Sequence, residues 1–393
     1  MNRNTLKASF RALAIAGLFS FSSCTPDPVD PVTPTVIDYC GDVNAPTTWT
    51  NRNEGLDYRV TCDFTINADM VIEEGTEIEF VNGKGVIVGN DGSLWVKGTG
   101  EKMVAIHGTG MAQGSWKGIW FQSNDDKNKL EYCMLSGGGQ NSFNGHDIRA
   151  NVRLALNGGL SISNSTISGS GRDGLYVEGF DDVFDNPLKA FSNNTFSNNS
   201  NLPISTVAST VSMLDGINSD YTANGSQHIE IRGGRVYGTH SWVKNTIPFL
   251  VSGEIRAGYY TQIGNLTINA GVAMEFINDF GITIGEYSAG YLRMVGTASE
   301  PVSLTTGEAD AWQGVCFQST NASNLLSYVN INMGGSAAFT GATQKKANVV
   351  IGGFSAGSAT IQNCSITNSA AYGIFVAFGS TPPTMSGVTY SGN

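Results

Sequence analysis

From about residue 40 onward the apolar residues arrive in short alternating runs: Val86-Ile87-Val88, Leu94-Trp95-Val96, Leu160-Ser161-Ile162 and Val349-Val350-Ile351. Each run is closed by Gly, Asn, Ser or Asp. A period of two places one residue in and the next out, which is the signature of a strand with one buried face. Helical periodicity is nearly absent after residue 40. Short strands at close spacing, with turn residues between them, fit a sandwich, a barrel or a solenoid.

Self-similarity along the chain selects among these. Residues 70–89 read MVIEEGTEIEFVNGKGVIVG and residues 266–285 read LTINAGVAMEFINDFGITIG. The same 196-residue offset aligns Trp116-Lys117-Gly118-Ile119-Trp120-Phe121-Gln122-Ser123 with Trp312-Gln313-Gly314-Val315-Cys316-Phe317-Gln318-Ser319. It also aligns Leu130 and Tyr132 with Leu326 and Tyr328, and Gly138-Gly139 with Gly334-Gly335. After a three-residue slip, ISNSTISGSGRDGL from Ile162 matches IQNCSITNSAAYGI from Ile361. Two copies of one long block are present, and the strand-turn unit inside them recurs at roughly 20 to 25 residues, too few for a four-stranded propeller blade. The pattern predicts a solenoid in which Ile162 and Ile167, or Phe191 and Phe196, fill the core. Corner asparagines then stack and satisfy backbone groups.

The phrases N-x-T-[IV]-x-x-S and FSNNTFSNN resemble the right-handed parallel β-helix of the pectate-lyase-like superfamily. The succession LTINAG, GT with an apolar strand, W-x-G-[IV]-x-F, L-x-Y and GG resembles β-helical bacterial surface lipoproteins of unassigned role. The resemblance spans residues 46–393 and implies an all-β, right-handed parallel β-helix. Roughly 15 coils of about 22 residues, at ~4.8 Å per coil, make a rod about 70 Å long. Block one is expected over about 46–199, connecting coils over 200–241 and block two over about 242–393, all in one domain spanning 40–393. Residues 40–62 are expected to cap the first coil, where an open edge would recruit other strands.

The N-terminus changes the picture of where this rod resides. Arg3, Lys7 and Arg11 precede an apolar stretch from Ala12 to Phe21, and Phe21-Ser22-Ser23-Cys24 stands where a signal peptidase would cut. That stretch is about ten residues, half of what a bilayer-spanning helix needs. Phe21–Cys24 resembles a lipobox, with phenylalanine where leucine is usual, so residues 1–23 read as a signal peptide and Cys24 as the lipid attachment site. Thr25-Pro26-Asp27-Pro28-Val29-Asp30-Pro31 opens a Pro-rich tether over 24–39, extended and semi-rigid. By resemblance to lipoprotein sorting signals, the expected location is the outer membrane or cell surface. Residues 1–23 hold three of the 22 Lys+Arg and none of the 33 Asp+Glu, which leaves the remainder at −14. A surface so acidic excludes nucleic acid as a partner, because phosphate needs a basic face.

Candidate chemistry is sparse. Cys40 and Cys62, 22 residues apart in an oxidising compartment, are a candidate disulfide. Cys133, Cys316 and Cys364 and the four scattered histidines show no zinc spacing. The repeat serves as an internal control: features shared by both blocks serve the coil, and features of one block are candidates for function. Trp116 and Trp312 are shared, hence structural. Trp95 and Trp120 point outward by alternation, lie 25 residues apart, and face Tyr291 and Cys316 as counterparts. They are the candidate glycan contacts on one face, since exposed flat rings suit the apolar faces of sugars. Glu178, Asp181, Asp182 and Asp185 form an acidic loop where block two has the uncharged stretch from Ala377 to Pro383. They are candidate Ca²⁺ ligands, with a solvated acidic turn as the plainer alternative.

The resemblance also raises a lyase or hydrolase acting on polysaccharide, for which Arg149, Arg153, Arg172 or Lys189 near the acidic loop would supply cations. The motif series of polygalacturonases and pectate lyases is absent; Gly145-His146-Asp147 is a partial echo, and fold alone does not establish function. The leading expectation is a non-catalytic surface β-helix that binds or displays, with a glycan as ligand. The alternatives are that enzyme and a structural or adhesive protein with a protein partner.

Overall fold

The computed structural model describes residues 35–52, 54–143, 145, 147–179, 187–307, 310–340 and 345–393. The chain divides into two compact units, Met1–Pro34 and Thr35–Asn393, and the second is a parallel β-helix. Cys24, Asp181, Asp182 and Asp185 lie outside the described residues.

Alternation works as the sequence suggests. In the strand Asp69–Glu73, Met70 and Ile72 are buried while their neighbours are partly exposed, and Tyr291–Val295 repeats the pattern with Leu292 and Met294. Each strand pairs in parallel with its equivalent on the next coil, so the inward residues of successive coils stack into one core running from Val43 to Ile366. Ile162, Ile167, Phe191 and Phe196 all lie within it. Corner asparagines close the backbone accounts between coils. Asn128 Oδ1 accepts from Leu94 N at 3.0 Å and its Nδ2 donates to the Ser123 carbonyl at 2.9 Å. Asn324 makes the matching pair of bonds, to Leu292 and Ser319, in block two.

Three sheets wrap the core in each half of the helix. A 13-stranded long sheet runs from Phe64–Ile66 to Thr389–Ser391. Beside it in the first half stand a six-stranded sheet from Thr47–Trp49 to Leu188–Ser192, here the Trp95 sheet, and a seven-stranded sheet from Ile37–Tyr39 to Thr195–Ser197, the His107 sheet. In the second half their places are taken by the Cys316 sheet, from Gly234–Val236 to Tyr372–Val376, and the Arg293 sheet, from Gly238–Trp242 to Thr384–Ser386.

This order exposes something the alignment alone does not: the two blocks are not in phase. The strand Gly118–Phe121 belongs to the long sheet, but its counterpart Gly314–Phe317 belongs to the Cys316 sheet. Likewise Cys133–Ser136 lies in the His107 sheet and its counterpart Val329–Asn332 in the long sheet. Block two is therefore advanced by one face around the axis. The shift is absorbed where Ile204–Thr206 and Ile229–Ile231 pair directly in the long sheet. The coil between them has a 3₁₀ helix, Ala208–Met213, and a lone bridge from Thr195 to Asp220 in place of regular strands.

The first coils are closed by Tyr39, Trp49, Tyr58 and Phe64, with Trp49 stacked on Tyr58 at 4.3 Å and Tyr39 edge-on to Trp49 at 5.0 Å. Cys40 and Cys62 form a disulfide across this cap.

Candidate binding faces

Trp95 points outward from the Trp95 sheet and is half-buried. Val71 and Lys129 flank it on the neighbouring strands. The ammonium groups of Lys97 and Lys129 lie 5.1 and 5.3 Å from its ring centre, and its Nε1 donates to Glu131 at 2.6 Å. The indole is thereby fixed on the outer surface amid charges of both signs. Strand register also corrects its counterpart. Leu94 pairs with Met70 and Leu292 with Leu266, so Trp95 corresponds to Arg293, not to Tyr291. The turn before Leu292 is two residues longer than the one before Leu94, which moved the alignment.

Trp120 departs from expectation. It too points outward, but from the long sheet, so the two tryptophans do not share a face. It is only 8% exposed. Phe143 covers it at 5.7 Å, and the Arg153 guanidinium, one rung along, stacks 4.2 Å from the ring. Arg153 in turn is bonded to Glu178. On the next rung Tyr176 carries the Arg232 guanidinium at 4.1 Å and accepts from its Nη1 at 2.6 Å; burial pushes this phenol above its ordinary range. The equivalent ladder of block two is Cys316, Val350 and Phe375, covered by Phe339 as Phe143 covers Trp120. One scaffold thus carries an aromatic-cationic ladder in block one and an apolar one in block two, each buried at its first two rungs and partly exposed at the third.

Of the four acidic-loop candidates only Glu178 is described, and its carboxylate is committed to Arg153. The cations considered for lyase chemistry are paired as well: Arg149 and Arg172 with Asp147 at 3.1 and 3.4 Å, and Lys189 with Asp126 at 3.6 Å. Among the described residues no group of three or more His, Cys, Asp or Glu is arranged to hold a metal ion.

Sequence reading missed an aromatic ladder in block two. Tyr260, Tyr287 and Phe354 are 55, 47 and 44% exposed, and their rings stack at 5.3 and 5.5 Å along one line of corners, the Tyr287–Phe354 pair spanning the corner that follows Gly314–Phe317. Five residues separate Val88 from Leu94, but seven separate their counterparts Ile284 and Leu292, and Tyr287 lies in that longer turn. Phe354 lies in another turn lengthened by two, since seven residues separate Leu154 from Ile162 and nine separate Ile351 from Ile361. The signal was available as these changes of offset, each bringing in an aromatic residue.

Compared with protein-family models, curated proteins and solved structures, the chain matches none.

Proposed function

We propose that this protein is a lipid-anchored, surface-exposed β-helix of the pectate-lyase-like kind, with a non-catalytic role in binding or displaying glycan. The anchor is the acylated Cys24, followed by the Pro-rich tether, and the location is the outer membrane or cell surface. The observation that carries the binding role is Trp95, a rigid indole on the outer face, held by Glu131 and bracketed by Lys97 and Lys129. Its indole keeps part of its surface in solvent at the outside of the solenoid, and sugar rings present flat C–H faces alongside hydroxyls that the flanking charges can bond. Trp120 supports this reading less, because it is buried beneath Phe143 and Arg153.

The test is retention on a broad polysaccharide panel. The wild type is expected to retain at least one polysaccharide without releasing new chain ends, and Trp95→Ala to weaken retention about tenfold, the loss of one sugar-aromatic contact of about 1.4 kcal/mol. Absence of retention by the wild type across the panel, or product release, would overturn it.

A further inference from the structure

The loop that leaves the strand Val104–Gly108 exists in two lengths. Strand register equates Gly108 with Thr306, so block one spends seven residues, 109–115, before Trp116, and block two spends five, 307–311, before Trp312. The longer version does not simply turn the corner. Gly110 and Met111 adopt the left-handed region, at φ 66° and 53°, and send the chain along the outside of the following coils. Gln113 Nε2 donates to the carbonyls of Ser170 at 3.2 Å and Asn198 at 2.9 Å, 57 and 85 residues ahead. Gly114 N donates to the Gly169 carbonyl at 3.2 Å, and a Cβ on Gly114 would meet Gly171 Cα at 2.9 Å, so only glycine permits this approach.

The loop is thus a strap laid across the next three coils, from Gly137 to Asn198, and a cleft of about 580 Å³ lies against it. That is within the usual size of small-ligand sites. Ser136 and Ser168, in register on neighbouring strands, contribute outward side chains to the cleft, and Met111, 64% exposed, contributes the main apolar surface. None of its ten lining residues is ionisable, in a chain where Asp and Glu outnumber Lys and Arg 33 to 22. The hydroxyls of Ser136 and Ser168, the side-chain amide of Asn198 and Oε1 of Gln113 have no hydrogen-bond partner among the described residues. The buried Asn199 beneath them is saturated by Ser170 N, Ile167 O and Asn224, which fixes the floor. Hydroxyls and amides both donate and accept, and they suit a ligand that does the same without carrying charge.

We propose that this cleft binds an uncharged saccharide, whose hydroxyls bond Ser136, Ser168, Asn198 and Gln113 while Met111 covers one of its C–H faces. The proposal rests on the glycan reading and narrows it to neutral sugars at a site separate from Trp95. Calorimetric titration of the purified protein with cellohexaose, xylohexaose, mannohexaose and maltohexaose, beside hexagalacturonate, tests it. At least one neutral hexasaccharide is expected to bind, with affinity unchanged between about 0.05 and about 1 M NaCl because no charge pair is screened. Ser168→Leu, which fills the cleft from a solvent-facing rung, is expected to weaken that binding at least about tenfold. Gln113→Ala, which frees the strap, is expected to act in the same direction, and Trp95→Ala to leave this site's binding in place. Binding of hexagalacturonate alone, loss of binding at high salt, or full affinity in both cleft variants would overturn it. If Trp95→Ala abolishes binding and the cleft variants do not, the cleft falls and the glycan reading stands. If no sugar binds, both fall.

Discussion

At the scale of single residues, the contrast between the aromatic-cationic and the apolar ladder is the most informative feature. Arg153 and Glu178 occupy positions that block two fills with Val350 and Ala377, under equivalent covering phenylalanines. The side chains of Arg153 and Glu178 are 5% and 21% exposed. Removing one partner strands the other charge, whereas replacing both with apolar residues removes the desolvation cost of each. Arg153→Val alone is therefore expected to cost about 3 kcal/mol in urea unfolding, and the Arg153→Val/Glu178→Ala double variant to cost less than either single change. Strict additivity in that cycle would show that the pair is not coupled. Legibility at this scale was partial. Alternation correctly turned Trp120 outward, but no local pattern shows that Phe143, 23 residues later, folds back over it. Outward on a strand equals exposed only when no loop returns, and that depends on contacts far apart in the chain.

At the scale of elements, the cap and the corners show what spacing can specify. Cys40 and Cys62 were readable because two cysteines close in sequence, near the end of a solenoid, have one useful place to meet. The aromatic cluster beside them was less so, since Tyr39, Trp49, Tyr58 and Phe64 resemble ordinary inward strand residues. A disulfide closing a 22-residue separation is expected to contribute about 3 kcal/mol. Reductant should lower the thermal midpoint of the wild type to that of Cys40→Ser/Cys62→Ser, and should leave that variant unaffected. Alkylation of the reduced, still folded protein should label Cys40 and Cys62 only among the five described cysteines. Cys133, Cys316 and Cys364 are buried, and burial pushes the Cys133 thiol up to about 12 and raises the other two. Labelling of any of these three without unfolding would contradict the closed core. The lengthened corners bearing Tyr287 and Phe354 were hidden for a different reason: an alignment that holds a constant offset assigns inserted residues to the strand that follows, and so misplaced the counterpart of Trp95.

At the scale of the whole molecule, the repeat forecasts a solenoid correctly but not the phase of its halves, because a 196-residue offset need not contain a whole number of coils. The consequence is functional. Equivalent strands of the two blocks look out in different directions, so the Trp95 face and the strapped cleft of block one are not repeated in line by block two. A rod with distinct faces gains from being held at one end, which is the role proposed for Cys24 and the Pro-rich tether. One acyl chain gives marginal membrane binding and two or more give stable anchoring, so lipidation at Cys24 should decide partition by itself. In cells given an alkyne-labelled fatty acid, the wild type is expected to carry label and sediment with membranes. Cys24→Ser is expected to carry none and to appear in the soluble fraction, with an unchanged β-rich circular dichroism spectrum. Because the faces proposed to bind glycan lie far along the chain from residue 24, that soluble variant should retain sugar as well as the wild type does. Membrane sedimentation of an unlabelled, folded Cys24→Ser protein would place the anchor elsewhere and remove the reason for reading the tether as one.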